Sequence, residues 1–467
     1  MDSVATEPQP VPPELLQKIR RVEIGARHLR RIPGSRELPW LLLVFAVALT
    51  LRLLWVAFAV SDPNDGRFDD SVFYHVAASG LVRGYGYINA WSFLPTAQWP
   101  PGYPFFLAAL YFPFGPTVVG AKLANAALGA ATCLLVYGVG LRLFDRWTAR
   151  IGALLLAVFP GQIFFSSLLW SETLFTFLLW LALFLVVRSP TQPTGPGARW
   201  IVVAGVVLGM ATLVRQVSLA IPAAMLLYWG LTGGEWRQAV RRTLLLTAAM
   251  LSVILPWSAR NYLVLDSPVL ISSSAGGNFW IGHHEGASGG MDSPAPLVAK
   301  YGPLSKPGAE VAVSDAGFRE GLKFMRTHPE EELRLLGAKV RRLYESDSVG
   351  LDLNDHLGTK PFMGAPLRSM LERLSNTFYF VVLGMAGLSI PFWSFVRGRR
   401  PLLPLLVVGA MTAAPVIFFG DPRFHFPIIA AFSLLAGWVL AGTFELVRRI
   451  ASRSQRAWQG SEARWSP

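Results

Sequence analysis

Long apolar stretches alternate with shorter polar ones along the chain. Runs of about 18 or more apolar residues recur, and each could cross the roughly 30 Å hydrocarbon core of a bilayer as a helix. No segment has the alternating ten-residue pattern of a membrane β-barrel. The sequence therefore predicts an all-α, polytopic bundle of about ten transmembrane helices. The predicted spans are 39–60, 117–142, 151–170, 172–188, 200–214, 217–232, 243–257, 376–396, 402–419 and 424–446.

Two long intervals between the spans are not apolar. The interval 61–116, called here the first loop, is rich in Gly, Pro and aromatic residues. The interval 258–375, called here the polar segment, carries 13 Lys and Arg against 14 Asp and Glu and has helix-like stretches. The predicted division is a cytoplasmic basic arm (1–38), an N-terminal transmembrane catalytic module that includes the first loop (39–257), the polar segment, C-terminal transmembrane helices (376–447) and a cytoplasmic tail (448–467).

Composition and charge placement agree with a membrane protein. Hydrophobic residues make up 52% of the chain and charged residues 15%, against about 25% charged in soluble domains. More than half of the 42 Lys and Arg lie beside span ends on one side, as the positive-inside rule requires. The net charge of +13 therefore indicates topology rather than a nucleic-acid partner. We expect a multi-pass protein of the inner (plasma) membrane, with both termini cytoplasmic and the first loop and polar segment outside.

The basic arm contains no apolar core or small-residue cleavage site, so we expect the span 39–60 to be retained rather than removed as a signal peptide. The only cysteine, Cys133, lies inside an apolar run. This excludes an intrachain disulfide and gives no indication of thiol or zinc chemistry.

Acidic and aromatic residues concentrate in the first loop. Asp69 and Asp70 open a helix-like stretch, and Tyr74 lies four residues after Asp70, which places both on one helix face. Tyr103 follows in a run rich in proline. Carboxylates can bind or activate hydroxyls, and aromatic faces pack against sugar rings. The alternative is an ordinary interfacial loop with belt aromatics.

A third acid and several cations lie near predicted membrane boundaries. Glu172 falls between two spans, where it could act chemically or cap a helix N-terminus. Ionisable groups at membrane depth are costly and by default mark a functional path or a partner, although each could also snorkel or pair locally. The cations are Arg52, Lys122, Arg215, Arg260 and Arg423. All except Arg52 are predicted at the same outer boundary as Asp70 and Glu172, where they could hold a phosphate.

Other common chemistries lack their sequence signatures. There is no P-loop, no dinucleotide fingerprint in a strand–helix context and no zincin motif. The adjacent pair His283 and His284, followed by Glu285, is a weak metal candidate because a closed site needs further partners. We therefore assign no cofactor and no metal ligand, and leave assistance by a divalent metal ion as an open alternative.

The order of these motifs resembles that of the GT-C superfamily of glycosyltransferases, in particular bacterial relatives of the dolichyl-phosphate-mannose–protein mannosyltransferases and of the lipid A aminoarabinose transferases. The resemblance extends from about residue 40 to 440. It rests on Asp70-Ser71-Val72-Phe73-Tyr74, Gly84-Tyr85-Gly86, Pro100-Pro101-Gly102-Tyr103-Pro104, Lys122, Pro160, Ser171-Glu172, Gly209 with Arg215, Pro256-Trp257 with Arg260-Asn261-Tyr262, and Arg423-Phe424 with Pro427. Relatives often carry Asp-Glu where this chain has Asp69 and Asp70, and the spacing to Tyr74 favours Asp70 as the catalytic acid.

The resemblance implies two amphipathic helices in the first loop, a polyprenyl-phosphate-linked sugar as donor and a catalytic Asp in that loop. We expect transfer to a cell-envelope acceptor (lipid, protein or polysaccharide) with inversion. Asp70 would be the general base and Asp69 or Glu172 would orient the acceptor or sugar. Tyr74, Tyr103, Lys122, Arg215, Arg260 and Arg423 are the predicted substrate-binding residues. The alternatives are a transporter or flippase of a lipid-linked glycan, and a non-catalytic scaffold.

Overall fold

The computed structural model describes residues 37–60, 62, 70–187, 197–233, 235–301, 308–357, 361–395 and 401–462. The predicted basic arm therefore lies almost wholly outside the described residues, and so does Asp69. Within the described ranges the chain forms 18 α-helices, short 3₁₀ stretches and one isolated bridge between Ile88 and Pro95. The helices are α1 (Leu38–Phe58), α2 (Asp70–Val82), α3 (Gly102–Phe114), α4 (Val118–Leu143), α5 (Arg146–Ala157), α6 (Pro160–Phe164), α7 (Glu172–Val187), α8 (Ala198–Val214), α9 (Ile221–Gly233), α10 (Trp236–Leu265), α11 (Ala275–Ile281), α12 (Ala295–Tyr301), α13 (Ala309–Thr327), α14 (Pro329–Tyr344), α15 (Val349–Leu357), α16 (Ala365–Phe395), α17 (Leu402–Ile417) and α18 (Ile429–Glu462).

This architecture confirms the predicted fold class, an all-α polytopic bundle. Six helical stretches in the described part of the chain are long and apolar enough to cross a membrane, or seven if the bent pair α5–α6 is one span. The shorter apolar helices α7, α8 and α17 coincide with three further predicted spans. Each of the ten predicted spans thus contains a helix, and the number that cross the bilayer remains a prediction.

Close backbone contacts set the arrangement of the long helices. Helix α4 packs against α1, α5 and α7, while α18 packs against α5 and α16. A Cβ added at Gly205 or Gly209 of α8 would lie 2.5 or 2.7 Å from a backbone carbonyl oxygen of α10. Glycines four residues apart let two membrane helices approach closely. Because α8 ends at Val214, this contact also fixes the position of Arg215.

The predicted span 151–170 is broken rather than continuous. Helix α5 ends at Ala157, and α6 begins at Pro160 with a bend of 54°. The buried guanidinium of Arg52 donates to the carbonyl oxygens of Leu156 and Ala157, at 3.5 and 3.1 Å. Carbonyls at a helix end lack partners within the helix. Arg52, a charged residue inside the first span, therefore acts as a cap for the interrupted helix.

The first loop and the polar segment meet at one end of the bundle. Glu310 of α13 accepts hydrogen bonds from the Thr96 hydroxyl, the Ala97 backbone N–H and the Ser273 hydroxyl, at 2.5, 2.7 and 3.1 Å. Helix α14 packs on α17 and on the 3₁₀ stretch Pro422–Ile428. These contacts bring segments far apart in sequence around the start of α2.

Candidate active site

Asp70 occupies the first turn of α2 and is held by two donors from distant parts of the chain. Its Oδ1 accepts from the indole N–H of Trp99 at 3.1 Å, and its Oδ2 accepts from Nη1 of Arg423 at 3.0 Å. The Trp99 ring is stacked on Phe73 with 3.9 Å between centroids, which fixes the indole. About a quarter of the Asp70 side chain remains exposed. The carboxylate is therefore oriented on both sides but still accessible.

Glu172 forms a second, more deeply buried acid–base pair. It is 1% exposed in the first turn of α7, and its Oε1 accepts from Nη1 of Arg215 at 2.6 Å. The same nitrogen donates to the Ser171 hydroxyl at 3.0 Å. Within the described ranges, Oε2 of Glu172 has no hydrogen-bond partner. Arg215 lies in extended backbone just after α8, so the helix end projects its side chain towards α7.

One aromatic ring connects the two cations. The Phe424 ring has the guanidinium of Arg423 at 4.9 Å from its centroid and that of Arg215 at 5.5 Å. Trp170 contacts Arg423 in the same way, at 5.1 Å. Asp421 caps the 3₁₀ stretch by accepting from the backbone N–H of Arg423 at 2.9 Å. The Asp421 carboxylate also lies 3.9 Å from Nε of Arg423, so the network contains three carboxylates and two guanidiniums around aromatic rings.

Tyr74 closes this network from the α2 side. Its hydroxyl lies 3.4 Å from the Ser171 hydroxyl. Burial is the main cause that raises the pKa of the Tyr74 phenol, and the negative charge of Asp70 is the second. Tyr103 packs edge-on against Tyr74 with 5.1 Å between centroids and accepts from the Asn125 amide at 3.1 Å. Tyr103 is fully buried, so it stabilises the position of the Tyr74 ring by packing against it.

Gly102 lets the proline-rich motif pack closely against the end of α8, next to Arg215. A Cβ added there would lie 2.7 Å from the backbone nitrogen of Val214, the last residue of α8. Only a glycine permits this approach of α3 to the residue before Arg215. The motif Pro100-Pro101-Gly102-Tyr103-Pro104 therefore aligns the first loop with the site.

The structure places Arg260 outside this network. Its guanidinium donates to the backbone carbonyls of Thr96 and Tyr87, at 2.6 and 3.2 Å, and lies over the Trp257 ring. The Tyr87 hydroxyl in turn donates to the Trp99 carbonyl at 2.9 Å. Arg260 therefore holds the backbone of the first loop near Trp99 through two carbonyls. Its expected contact with phosphate remains a prediction.

Lys122 lies buried near the start of α4, one turn before Asn125, and its role at a phosphate remains a prediction. His283 is buried between Glu332 and the Ile417 carbonyl, at 2.8 Å from each, whereas His284 is stacked on Trp280. In the part of the chain that the structure describes, no three His, Cys, Asp or Glu side chains are grouped to hold a metal ion.

Several residues of the network escaped the sequence analysis as functional residues. Trp99 and Trp170 were not singled out there, Phe424 appeared only after Arg423, and Ser171 only beside Glu172. For Phe424 and Ser171, the position next to a charged residue at a span end was the available signal. Ring contacts with a guanidinium depend on the tertiary fold and could not be assigned from spacing.

In chemical terms the site offers a partly exposed carboxylate beside two guanidiniums. Guanidiniums bind phosphate oxygens through two N–H groups and stay charged at all relevant pH values. A carboxylate at hydrogen-bond distance can accept a proton from a hydroxyl. The arrangement can therefore neutralise a phosphate and activate a hydroxyl within one space.

Comparison with known proteins confirms the resemblance to GT-C glycosyltransferases. The family model described as dolichyl-phosphate-mannose-protein mannosyltransferase matches residues 98–259. This range contains Trp99, Glu172 and Arg215, whereas Asp70 and Arg423 lie outside it. No curated protein sequence matches the chain.

Solved structures share the fold. The oligosaccharyltransferase AglB of Archaeoglobus fulgidus, in complex with an inhibitory peptide and a dolichol-phosphate, has a TM-score of 0.55 at 17% identity, over 90% of this chain and 52% of that one. An oligosaccharyltransferase of Archaeoglobus fulgidus tethered to an acceptor peptide has a TM-score of 0.54 at 14% identity, over 90% of this chain and 51% of that one. ArnT from Cupriavidus metallidurans bound to undecaprenyl phosphate has a TM-score of 0.40 at 18% identity, over 86% and 78%. The chain thus has the fold of the archaeal oligosaccharyltransferase and spans about half its length.

Proposed function

We propose that the protein is a glycosyltransferase that moves a monosaccharide from a polyprenyl-phosphate donor to a cell-envelope acceptor. The observation that carries the proposal is the contact of Asp70 with Arg423, beside a second guanidinium across the Phe424 ring. This combination suits a reaction in which a phosphate leaves and a hydroxyl attacks. A dolichol-phosphate bound to an archaeal protein of the same fold makes polyprenyl phosphates the first donors to test.

The leaving group needs neutralisation rather than a proton. A phosphate monoester has a second pKa of about 6, so it can depart as an anion. Arg423 and Arg215 would bind its oxygens, and such preformed charge stabilisation costs no reorganisation during the reaction. Lys122, near the start of α4, is the further cation that we include.

Donor binding would also free the base. Both oxygens of Asp70 now accept hydrogen bonds, one from Trp99 and one from Arg423. A phosphate on Arg423 competes with Asp70 for the same guanidinium. Release of Oδ2 would let it accept the acceptor's hydroxyl proton while Trp99 still orients Oδ1.

In the transfer step the acceptor oxygen bonds to the anomeric carbon as the bond from that carbon to the phosphate oxygen breaks. The electron pair of the broken bond goes to the phosphate, and the proton goes to Asp70. Direct attack without a carboxylate nucleophile predicts inversion. The free Oε2 of Glu172 is our candidate for holding a hydroxyl of the sugar or acceptor, and Asp69 keeps its proposed orienting role.

We further propose that the site faces the outer side of the inner membrane. At the opposite end of the bundle, Glu37 pairs with Arg146 and Arg150 at 2.7 and 3.2 Å, within the predicted basic side. A flippase or transporter would use charges at the midplane, often on broken helices. Arg52 does lie at the broken helix α5–α6, but there it caps helix carbonyls. Asp70 and Arg423 lie at the end where the first loop and the polar segment meet, which favours an enzyme.

The test uses purified protein in lipid with a panel of radiolabelled polyprenyl-phosphate sugars, and measures release of free polyprenyl phosphate. We expect release or transfer with one donor and its loss in Asp70→Asn. Asp315→Asn, the same change on the exposed face of α13, should retain wild-type rates. Normal transfer by Asp70→Asn would refute the assigned base. No release from any donor, even with envelope acceptors added, would favour transport.

A further inference from the structure

A groove of about 310 Å³ lies in the polar segment, on the surface of α14. Arg334, Gly337, Ala338 and Arg341 line it, at the spacing of one helix face, and Ser288 lies on its other wall. Arg334 and Arg341 are two helical turns apart, about 10 Å along the axis. A Cβ at Gly337 would meet nothing within 4 Å, so the middle of this face is open. The groove therefore has a small-residue floor with an arginine at each end.

The charges around the groove leave cationic donors unmatched. Arg334 forms an exposed pair with Glu331 at 2.9 Å, and such pairs contribute little. Arg341 forms no hydrogen bond or ion pair with any residue that the structure describes. The nearby Asp292 is occupied by the hydroxyl and backbone N–H of Ser288, each at 2.9 Å.

A third arginine adds a buried donor. Arg342 pairs with Glu345 through Nη1 at 3.2 Å, but its Nε is buried and has no hydrogen-bond partner in the described ranges. A Cβ at Gly290 would lie 3.5 Å from this Nε, so the donor is next to the loop that walls the groove. The carboxylates of Asp292, Glu331 and Glu345 are thus engaged, while Arg341 and the Nε of Arg342 are not.

One packed layer separates the groove from Arg423. The backbone carbonyl of Gly289 accepts a hydrogen bond from the backbone N–H of Gly420 at 2.9 Å. A Cβ added at Gly289 would lie 2.7 Å from the Cβ of Ala338. A Cβ at Gly420 would meet the backbone carbonyl of Lys339. Gly420 precedes Arg423 by three residues, at most about 10 Å of chain. The groove and Arg423 therefore lie on either side of this packed layer.

We propose that this groove binds an acidic group of the acceptor, a phosphate or a carboxylate, and so selects an anionic lipid or an anionic glycan. The inference rests on the proposed function. Guanidiniums recognise both groups through paired N–H donors, and the open floor at Gly337 gives a chain of sugars or a lipid headgroup room to lie between them. The groove holds the acidic group while the hydroxyl is presented to Asp70.

Binding can be measured without catalysis. Full-length protein in neutral detergent is titrated with trigalacturonate or dioctanoyl-phosphatidylglycerol, against the uncharged maltotriose and the zwitterionic dioctanoyl-phosphatidylcholine. We expect one acidic probe to bind at least tenfold more tightly than its counterpart, and the one that does identifies the glycan or the lipid as source. Arg341→Glu should weaken that binding about tenfold or more, as expected for a lost charge-assisted hydrogen bond.

Two further variants distinguish binding in the groove from a nonspecific effect of surface charge. Gly337→Phe fills the floor without a change of charge and improves helix propensity, so it should fold and weaken binding. Arg319→Glu makes the same charge change as Arg341→Glu on the exposed face of α13 and should bind like wild type. Equal losses in Arg319→Glu and Arg341→Glu, or no preference for either acidic probe, would overturn the proposal.

Transfer to envelope acceptors gives the second readout. The labelled product of the wild type should bind an anion-exchange column, and the ratio of transfer to acceptor-free donor release should fall in Arg341→Glu. A neutral labelled product would overturn the groove proposal. Absence of donor release in the wild type would instead refute the proposed function, while the binding titration would still decide whether the groove takes an anion.

Discussion

The buried pair of Glu172 and Arg215 permits a prediction with a stated magnitude. Replacing Arg215 by Met keeps an apolar stem but removes the guanidinium 2.6 Å from a carboxylate that is only 1% exposed. Removal of one partner of a buried ion pair typically costs about 3–5 kcal/mol, because the remaining charge is left uncompensated. We therefore expect Arg215→Met to lower the free energy of unfolding by about that amount.

The reverse change should cost less. Glu172→Gln leaves Arg215 bonded to the Ser171 hydroxyl, over the Phe424 ring and about one-fifth exposed, so the cation is still partly solvated. We expect a loss of about 1–2 kcal/mol. The double variant should be more stable than the sum of the single losses predicts, by about 2–3 kcal/mol, since neither charge is then buried alone.

The assay is unfolding in mixed micelles followed by tryptophan fluorescence, for the wild type, both single variants and the double variant. Arg319→Met, on the exposed face of α13, is the matched loss of an arginine and should change stability by less than about 0.5 kcal/mol. A loss below about 1 kcal/mol for Arg215→Met, or strictly additive losses, would refute the reasoning.

Three further predictions follow from other contacts. Trp99→Phe removes the N–H that orients Asp70 and should lower kcat about tenfold, with little change in the KM of the donor, in the release assay; an unchanged kcat would remove Trp99 from the site. Gly209→Leu should cost at least about 2 kcal/mol in the same unfolding assay, because even a Cβ there lies 2.7 Å from the Met250 carbonyl oxygen; wild-type stability would contradict this packing. Burial lowers the pKa of Lys339 from 10.5 to about 8, so between these values this side chain holds more protons in the unfolded chain, and its contribution to the free energy of unfolding should rise from pH 8 to 10.5. The rise should reach at most about 3 kcal/mol and be absent from Lys339→Met; parallel pH curves for the two proteins would exclude this cause.

The fold was predictable where a single property decided it. A long apolar run in a membrane must form a helix, because each backbone group needs a partner within the segment. The runs 117–142 and 402–419 accordingly match α4 and α17 within two residues. The break after Ala157 was not predicted, although Pro160 is a local signal for it. The cap of the interrupted helix, the guanidinium of Arg52 more than a hundred residues earlier, has no local signal.

The site was predictable only in part. Residues four apart on a helix share a face, so Asp70 and Tyr74 were expected together, and both belong to the network. The partner of Asp70 is Arg423, 353 residues away, and no local pattern selects it among the five cations considered. Arg260 illustrates the same limit. The sequence predicts that it lies near a membrane boundary, but not that its guanidinium donates to two backbone carbonyls.

The separation of Asp70 and Arg423 has a consequence for biosynthesis. Chains are made at about 5–20 residues per second, so Arg423 leaves the ribosome about 18–70 s after Asp70. Arg215 follows Glu172 by only 43 residues, or about 2–9 s. A nascent or truncated chain can thus assemble the inner pair early, yet it lacks the cation at its exposed acid until the last span has been inserted. Activity therefore requires synthesis past Arg423, and products terminated before this residue should be inert towards the donor.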